Sequence, residues 1–326
     1  SPPPPYTWGT WTERDPVSSG PPSDQTWSAV ASNSDSSKLV AALRGGAVYY
    51  SSDSGATWTA LTLTSGPASP TWCCVAFATN TGGDTIWAAE TTPGSGKIWK
   101  ATRAAAAAGF GAMDSTASPN SGAETLWSSI AVDSDGAHVF ASVTAGNIYS
   151  SADSGLTWST GDSTTQAWVD VASTGNGMTV VAVASDGMVA ISANGGQKWT
   201  ASGTSDGLSS ASLTWCCVAA SASGTKLYAA VTGGALWTGT LAASTYTWSS
   251  TNSPETTGQW MSVACDTTGT EVFGLVTDKQ MWKGHNGGTS WEQDTATAVG
   301  QKWSDMAADD TGQIITSASP GRVNTQ

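Results

Sequence analysis

Three features of the sequence predict an all-β chain folded as a seven-bladed β-propeller of four-stranded antiparallel blades. They are a motif repeated seven times, a period that suits one blade, and a turn-rich composition with few charges. The motif is a Trp, two variable residues, an aliphatic residue or Met, and Ala. It reads WSAVA from Trp27, WCCVA from Trp72, WSSIA from Trp127, WVDVA from Trp168, WCCVA from Trp215, WMSVA from Trp260 and WSDMA from Trp303. Successive copies lie 45, 55, 41, 47, 45 and 43 residues apart, near the roughly 40–50 residues of one four-stranded blade. An ordinary chain of 326 residues would divide into two or three domains. A repeat array avoids that, because each unit packs only on its neighbours. Residues 6–326 are therefore read as one propeller domain and residues 1–5 as a polyproline arm. Only 11% of residues are charged, against about 25% in an average domain, and Ser, Thr, Gly and Ala fill the difference.

Each repeat has an inner order. The Trp strand is followed by a polar turn with Gly, such as DSDG at 133–136, SASG at 221–224 and DTTG at 266–269. A second strand comes next, as in KLVAA at 38–42, HVFASV at 138–143, KLYAAV at 226–231 and EVFGLV at 271–276. A Gly-bearing hairpin then leads to a third strand, as in GAVYYS at 46–51, GNIYSS at 146–151 and GALWT at 234–238. Alternation at period two between Gly, Asp and Ser clusters is what half-buried antiparallel strands require. The alanine-rich stretch 101–112 lengthens the second repeat and is the one segment expected to have the option of a helix.

A recognisable loop introduces the fourth strand. SSDSGATW at 51–58 and SADSGLTW at 151–158 are full copies, and SANGGQKW at 192–199 and GHNGGTSW at 284–291 are degenerate ones. Asp53 and Asp153 are placed to accept backbone N–H groups across the turn. Gly55 and Gly155 permit positive φ, and Trp58 and Trp158 anchor in the blade the loops that open at Ser51 and Ser151. Asn194 and Asn286 take the Asp position beside Trp199 and Trp291. This pattern resembles the Asp-box (BNR-like) propellers, a group that includes sialidases, xyloglucan hydrolases, sorting receptors and a photosystem assembly factor. The Trp-led repeats are also similar to tectonin-type lectins. The resemblance implies that the boxes are structural turns away from the functional site, and fold alone selects no function among these relatives.

The seventh repeat ends after QIITSA at 313–318 and RVNT at 322–325, one strand short. YTWGTWTE at 6–13 is similar to the strand that follows an Asp-box, so the N-terminal strand is expected to complete the last blade beside 322–325. Such closure shields edges that would otherwise pair with other chains.

The formal charge is −13. That excludes a nucleic-acid partner, which needs a basic footprint, and docking on anionic lipid. It is also the wrong sign for the basic patch that the photosystem-factor relative implies. No apolar run is long enough to span a membrane. The chain opens at Ser1 without a signal-peptide pattern and is read as a mature or trimmed product. Cys73, Cys74, Cys216, Cys217 and Cys265 show no zinc spacing. Neighbouring strand residues point to opposite faces, so the two Cys-Cys pairs are read as buried free thiols, with vicinal disulfides as the alternative. His138 and His285, the two histidines, sit in no metal or triad motif. No cofactor is expected, although calcium at a loop such as DSDG stays open, since a calcium cage needs six or more oxygens.

Catalysis has few residues to draw on. A sialidase implies an arginine triad, and only Arg14, Arg44, Arg103 and Arg322 exist. An inverting glycosidase needs two carboxylates roughly 6.5–9.5 Å apart, and Asp170 and Asp305 are the regularly placed inner pair. Trp99, Trp237 and Trp282, on third strands, are the candidates for stacking on sugars. SPPPP at 1–5 predicts a polyproline II arm. It is similar to the Ser-Pro repeats of hydroxyproline-rich algal and plant cell-wall glycoproteins, which implies O-glycosylation at Ser1, Pro2, Pro3, Pro4 and Pro5. No Asn-x-Ser/Thr sequon occurs. The sequence thus predicts an extracellular structural or adhesive glycoprotein, not an enzyme, whose partners are other extracellular proteins or copies of itself. A carbohydrate-binding lectin is the alternative and a polysaccharide hydrolase the second.

Overall fold

The computed structural model describes residues 11–14, 26–91, 96–105, 107, 109–115, 118–119, 126–203, 207–208, 213–278, 281–294, 302–309, 312, 315–319 and 322–325. The SPPPP arm, with its candidate O-glycosylation sites, lies outside them, as do residues 6–10 of the N-terminal strand. After β1 (Thr12–Glu13) the strands come in runs that each begin at one copy of the Trp motif. The first run is β2 (Trp27–Ser32), β3 (Leu39–Leu43), β4 (Val48–Ser51) and β5 (Thr59–Ala60). The second is β6 (Trp72–Asn80), β7 (Gly83–Glu90) and β8 (Ile98–Ala104), and the third β9 (Trp127–Val132), β10 (Val139–Gly146) and β11 (Ile148–Ser151). The fourth is β12 (Gln166–Ser173), β13 (Val180–Ala184), β14 (Val189–Ser192) and β15 (Thr200–Ser202). The fifth is β16 (Trp215–Ala220), β17 (Lys226–Val231), β18 (Leu236–Ala242) and β19 (Thr245–Ser250). The sixth is β20 (Trp260–Cys265), β21 (Val272–Val276), β22 (Trp282–His285) and β23 (Ser290–Gln293). The last is β24 (Asp305–Ala308), β25 (Ile315–Ser319) and β26 (Arg322–Thr325).

The first, fifth and sixth runs are four-stranded antiparallel meanders. The last run is four-stranded because β1 joins it, with Thr12 opposite Thr325 and Glu13 opposite Asn324. Among the described residues the second run has three strands, and single bridges such as Lys100–Asp114 stand beyond β8. The third and fourth runs share one sheet through Thr144–Ala167 and Gly146–Gln166, and Ser150–Ser159 is a lone bridge at the outer edge of the third. Uniform four-stranded units are therefore an idealisation of this chain. The fold is all-β: every element among the described residues is a strand. The alanine-rich segment is one case, since Ala101 and Ala104 extend β8 and Phe110 lies in coil.

Burial follows the repeat. The motif Trp residues at 27, 72, 127, 168, 215, 260 and 303 are each at most 4% exposed. Trp72, Trp215 and Trp260 donate their indole N–H to the carbonyls of Gly46, Gly187 and Gly234, each in a hairpin turn of the preceding run. Apolar clusters fill the space between consecutive runs. Val40 and Tyr50 meet Trp72 and Ile86 between the first and second, and Val183 and Val189 meet Trp215 and Leu227 between the fourth and fifth. Val323 of β26 packs with Trp27, Val30 and Ala41 of the first run. The opening strands also touch in sequence order, and β24 touches β2.

Candidate functional site

Alternation breaks at the start of six of the seven Trp strands, and that break builds the site. Trp27 pairs with Leu43 but Ala29 with Ala42, so Ser28 is an extra residue in its strand. The same shift occurs at Cys73, Val169, Cys216 and Met261, and in β9 at Ser128. A β-bulge of this kind lets two consecutive side chains share one side of the strand. Residues at motif positions two to four, drawn from all seven copies, line one cavity of about 300 Å³. Further along the same strands lie cavities of about 290 Å³ and about 320 Å³, which share lining residues with their neighbours. The three make a polar passage down the centre of the opening strands.

Asp170 and Asp305 face this passage from the fourth and last runs. Asp170 Oδ1 accepts from Ser129 Oγ at 2.6 Å and from its neighbour Val171 N at 2.9 Å, and Oδ2 accepts from Val218 N at 2.8 Å. Asp305 repeats the pattern, with Ser262 Oγ at 2.9 Å, Met306 N at 2.9 Å and Val30 N at 3.1 Å. Each carboxyl thus joins the run before it to the run after it. Desolvation outweighs these donors and pushes both carboxyls up to about 6. Both side chains are only half-buried by surface area, so water in the passage moderates the size of that shift but not its direction.

The cysteine pairs overturn the alternation expected of them. Cys73 Sγ lies 3.0 Å from Cys74 Sγ, and Cys216 Sγ lies 3.5 Å from Cys217 Sγ. The bulge, which strand periodicity cannot reveal, puts each pair on the passage side.

The Asp-boxes close on themselves. Asp53 Oδ1 accepts from Thr57 N at 2.7 Å and Ser51 Oγ at 2.8 Å, and Oδ2 accepts from Thr57 Oγ1 at 2.6 Å. Asp153 does the same with Thr157 and Ser151. Both carboxylates are held below their ordinary value, chiefly by the Thr hydroxyl, Asp153 to about 2. Ser54 and Gly55 carry φ of 54° and 83°, and Ser154 and Gly155 carry 55° and 82°, the left-handed turn that glycine permits. Asn194 accepts from Lys198 N and Ser192 Oγ. Trp158, Trp199 and Trp291 each donate to the box glycine carbonyl three residues back. In the DSDG loop Asp133 is taken by His138, through its backbone N–H and its ring. Among the described residues no group of three or more His, Cys, Asp or Glu is arranged to hold a metal ion.

Of the three Trp candidates for sugar stacking, Trp99 is 0% exposed, edge-on to Trp72 and bonded to Glu90 Oε2. It has no free face. Trp237 is half-buried and edge-on to Trp215, and Trp282 is half-buried against the cluster of the fifth and sixth runs. They sit on third strands of three different runs. A site that the sequence did not disclose lies elsewhere, in a cavity of about 330 Å³ lined by Tyr50, Thr57, Thr59, Leu61, Arg103 and Phe110. Arg103 lies over the Tyr50 and Phe110 rings at 5.2 and 5.6 Å and bonds Asp84, which Lys38 also holds at 2.7 Å. Asp84 is lowered despite its burial, because Lys38, Arg103 and Thr79 outweigh desolvation. The one sequence clue was the lengthened second repeat, which supplies Phe110.

No protein-family model matches the chain, and no curated protein matches it. Solved structures do. YCF48 from Cyanidioschyzon merolae is 15% identical, with 97% of this chain and 98% of that one covered and a TM-score of 0.68. YCF48 bound to D1 peptide is 14% identical, covering 98% and 95%, with a TM-score of 0.69. The GH74 xyloglucanase from Xanthomonas campestris is 15% identical, covering 96% of this chain and 52% of that one, with a TM-score of 0.68. These neighbours are β-propellers, and the likeness establishes a β-propeller fold here. At this identity it carries the fold alone.

Proposed function

We propose that this chain is a closed seven-bladed propeller that acts without catalysis, as an extracellular structural or adhesive protein working through protein–protein contacts. Closure is supported by the β1–β26 pairing and by the contribution of all seven Trp strands to one cavity. The observation that carries the non-catalytic reading is the engagement of Asp170 and Asp305. A general acid or base must be free to exchange its proton with substrate, and each of these carboxyls already accepts three hydrogen bonds that hold adjacent runs together. A propeller of the same fold bound to a peptide makes protein recognition a use this architecture accommodates. No resident cofactor or metal is part of the proposal, because the box carboxylates spend their oxygens on their own loops.

The second reading is a carbohydrate-binding propeller. It is favoured by the Tyr50–Phe110–Arg103 cavity, where aromatic faces and threonine hydroxyls meet beside two cations. Three measurements on one preparation separate the readings. The proposal expects concentration-dependent association by light scattering, no turnover of a polysaccharide panel, and no reproducible signal on a glycan array. Micromolar binding to one sugar class would transfer the assignment to the lectin. Turnover that vanishes in Asp170→Asn or Asp305→Asn would transfer it to the hydrolase.

A further inference from the structure

We propose that Cys73–Cys74 and Cys216–Cys217 are two vicinal dithiol–disulfide couples set at one end of the central passage. In each pair the sulfurs lie 3.0 and 3.5 Å apart, about 1–1.5 Å more than a disulfide bond. Closing that gap forms an eight-membered ring across one peptide, whose Cα atoms are about 3.8 Å apart and so below the usual disulfide span, and a local twist of the bulged peptide accompanies the bond. Adjacent residues of a regular strand could not reach one another, so the bulge is the feature that makes the couple. It occurs at the same motif position in other runs, where Ser28, Ser128 or Met261 stands in place of the cysteine.

Two further observations support the assignment. Both pairs line the same cavity at one end of the passage. The thiols are also unequal within the second pair. The hydrogen bond from Cys217 draws the Cys216 thiol below its ordinary value, while Cys217 is pushed well up by that bond and by burial. Cys74 is likewise pushed well up, by burial first. An attacking and a resolving sulfur need this division. A metal centre is the weaker outcome, because no third His, Cys, Asp or Glu among the described residues completes a ligand set.

The oxidant is a small-molecule disulfide. The Cys216 thiolate attacks one of its sulfurs, the external S–S bond breaks, and one small thiolate leaves. Cys217 then gives up its proton and attacks Cys216 Sγ, and the second small thiolate leaves and takes up that proton. Two protein thiols are oxidised to one disulfide and the external disulfide is reduced to two thiols. Closure withdraws the Cys216 thiol from the Ala230 carbonyl and the Cys73 thiol from that of Ala89, to which they now donate. Cys265, pushed up by burial, has no neighbouring cysteine and serves as the internal control.

The reduced full-length protein, incubated with oxidised glutathione and then alkylated in denaturant, tests the proposal by mass spectrometry. The expected product carries one alkyl group, on Cys265, and is otherwise about 4 Da lighter than the reduced chain, two hydrogens for each couple. Peptide mapping should place both linkages within the dipeptides. Cys217→Ser should trap glutathione on Cys216 as a mixed disulfide. Five alkylated thiols, stable glutathione adducts on the wild type, or a linkage between the two pairs would each overturn it.

Discussion

Asp170 Oδ2 accepts the backbone N–H of Val218 at 2.8 Å, so a side chain of the fourth run completes the hydrogen bonding of the fifth. β16 pairs on one side only, so its alternate N–H groups have no ladder partner, and a buried donor without a partner costs about 1–3 kcal/mol. Asp170→Ala is therefore expected to destabilise the fold by roughly 2–3 kcal/mol, since Ser129 loses its acceptor as well. Asp305→Ala should do the same through Val30 and Ser262. Urea titration measures both, and a pair of variants as stable as the wild type would remove the clamp from the account.

The same two carboxyls set a pH dependence with a definite sign. Their folded values, about 6, lie above the unfolded value of about 3.9. The folded state therefore holds these protons more firmly. Their contribution is complete below about pH 4 and lost as the pH rises through about 6. Asp53, Asp84 and Asp153 are lowered and act oppositely, contributing above about pH 4 and losing that contribution as the pH falls. Stability should peak near pH 4–5 and decline toward pH 7, by on the order of 1–2 kcal/mol per clamp once passage water is allowed for. Asp170→Asn and Asp305→Asn should flatten that decline. A slope unchanged in the double variant would assign it to other groups.

Legibility in the sequence followed the range of the interactions. The Trp motif exposed the strand order because one buried indole per unit is a local requirement, and the seven indoles are indeed enclosed. The Asp-box was legible for the same reason, since every bond from Asp53 stays within Ser51–Thr57. The bulge was not. It depends on how Trp72 and Cys74 register on Glu90 and Ala89, and nothing in WCCVA announces it. Asp84 and Arg103 were equally silent, because only the pairing of β7 with β8 sets them side by side. Trp99 looked like a stacking residue from its strand position, yet the neighbouring Trp72 encloses it.

Arg103 is the stem of the unforeseen cavity. Its guanidinium bonds Asp84 and the Tyr50 hydroxyl, and Asp84 is 2% exposed. Arg103→Ala leaves that carboxylate to Lys38, Thr79 and a longer bond from the Tyr50 hydroxyl. The expected cost is roughly 2–3 kcal/mol, below that of a fully buried pair because Arg103 retains some contact with water. Arg103→Lys keeps the charge but not the fork geometry, and should recover only part of the loss. Equal stability of Lys and Arg at this position would reduce the interaction to charge alone.

The boxes predict indifference to calcium. Ser51 and Thr57 occupy Asp53, and Ser151 and Thr157 occupy Asp153, whereas a calcium site needs six or more oxygens turned inward. Chelation with EDTA should leave the melting temperature unchanged. Asp153→Ala should instead speed hydrogen exchange at the Thr157 amide with little effect elsewhere. A melting temperature that falls on chelation and returns with calcium would require a metal site outside these loops.

The join between the chain ends gives the last prediction. Thr12 pairs with Thr325, Arg14 N donates to the Val323 carbonyl at 2.8 Å, and Trp11 Nε1 donates to Asp294 Oδ2 at 2.6 Å. Deleting residues 1–5 leaves all three intact and should not change the melting temperature. Deleting residues 1–14 removes them together and opens the β26 edge beside Val323, which is 0% exposed. An unpaired edge of this kind recruits other chains. The longer deletion should therefore melt earlier and aggregate, and a peptide of residues 6–14 added in trans should restore part of the loss. The opposite result has its own explanation in the inner strands. If the longer deletion melts with the full chain, the first and last runs are held together by Asp305 on Val30 and by β24 against β2, and β1 only covers an edge.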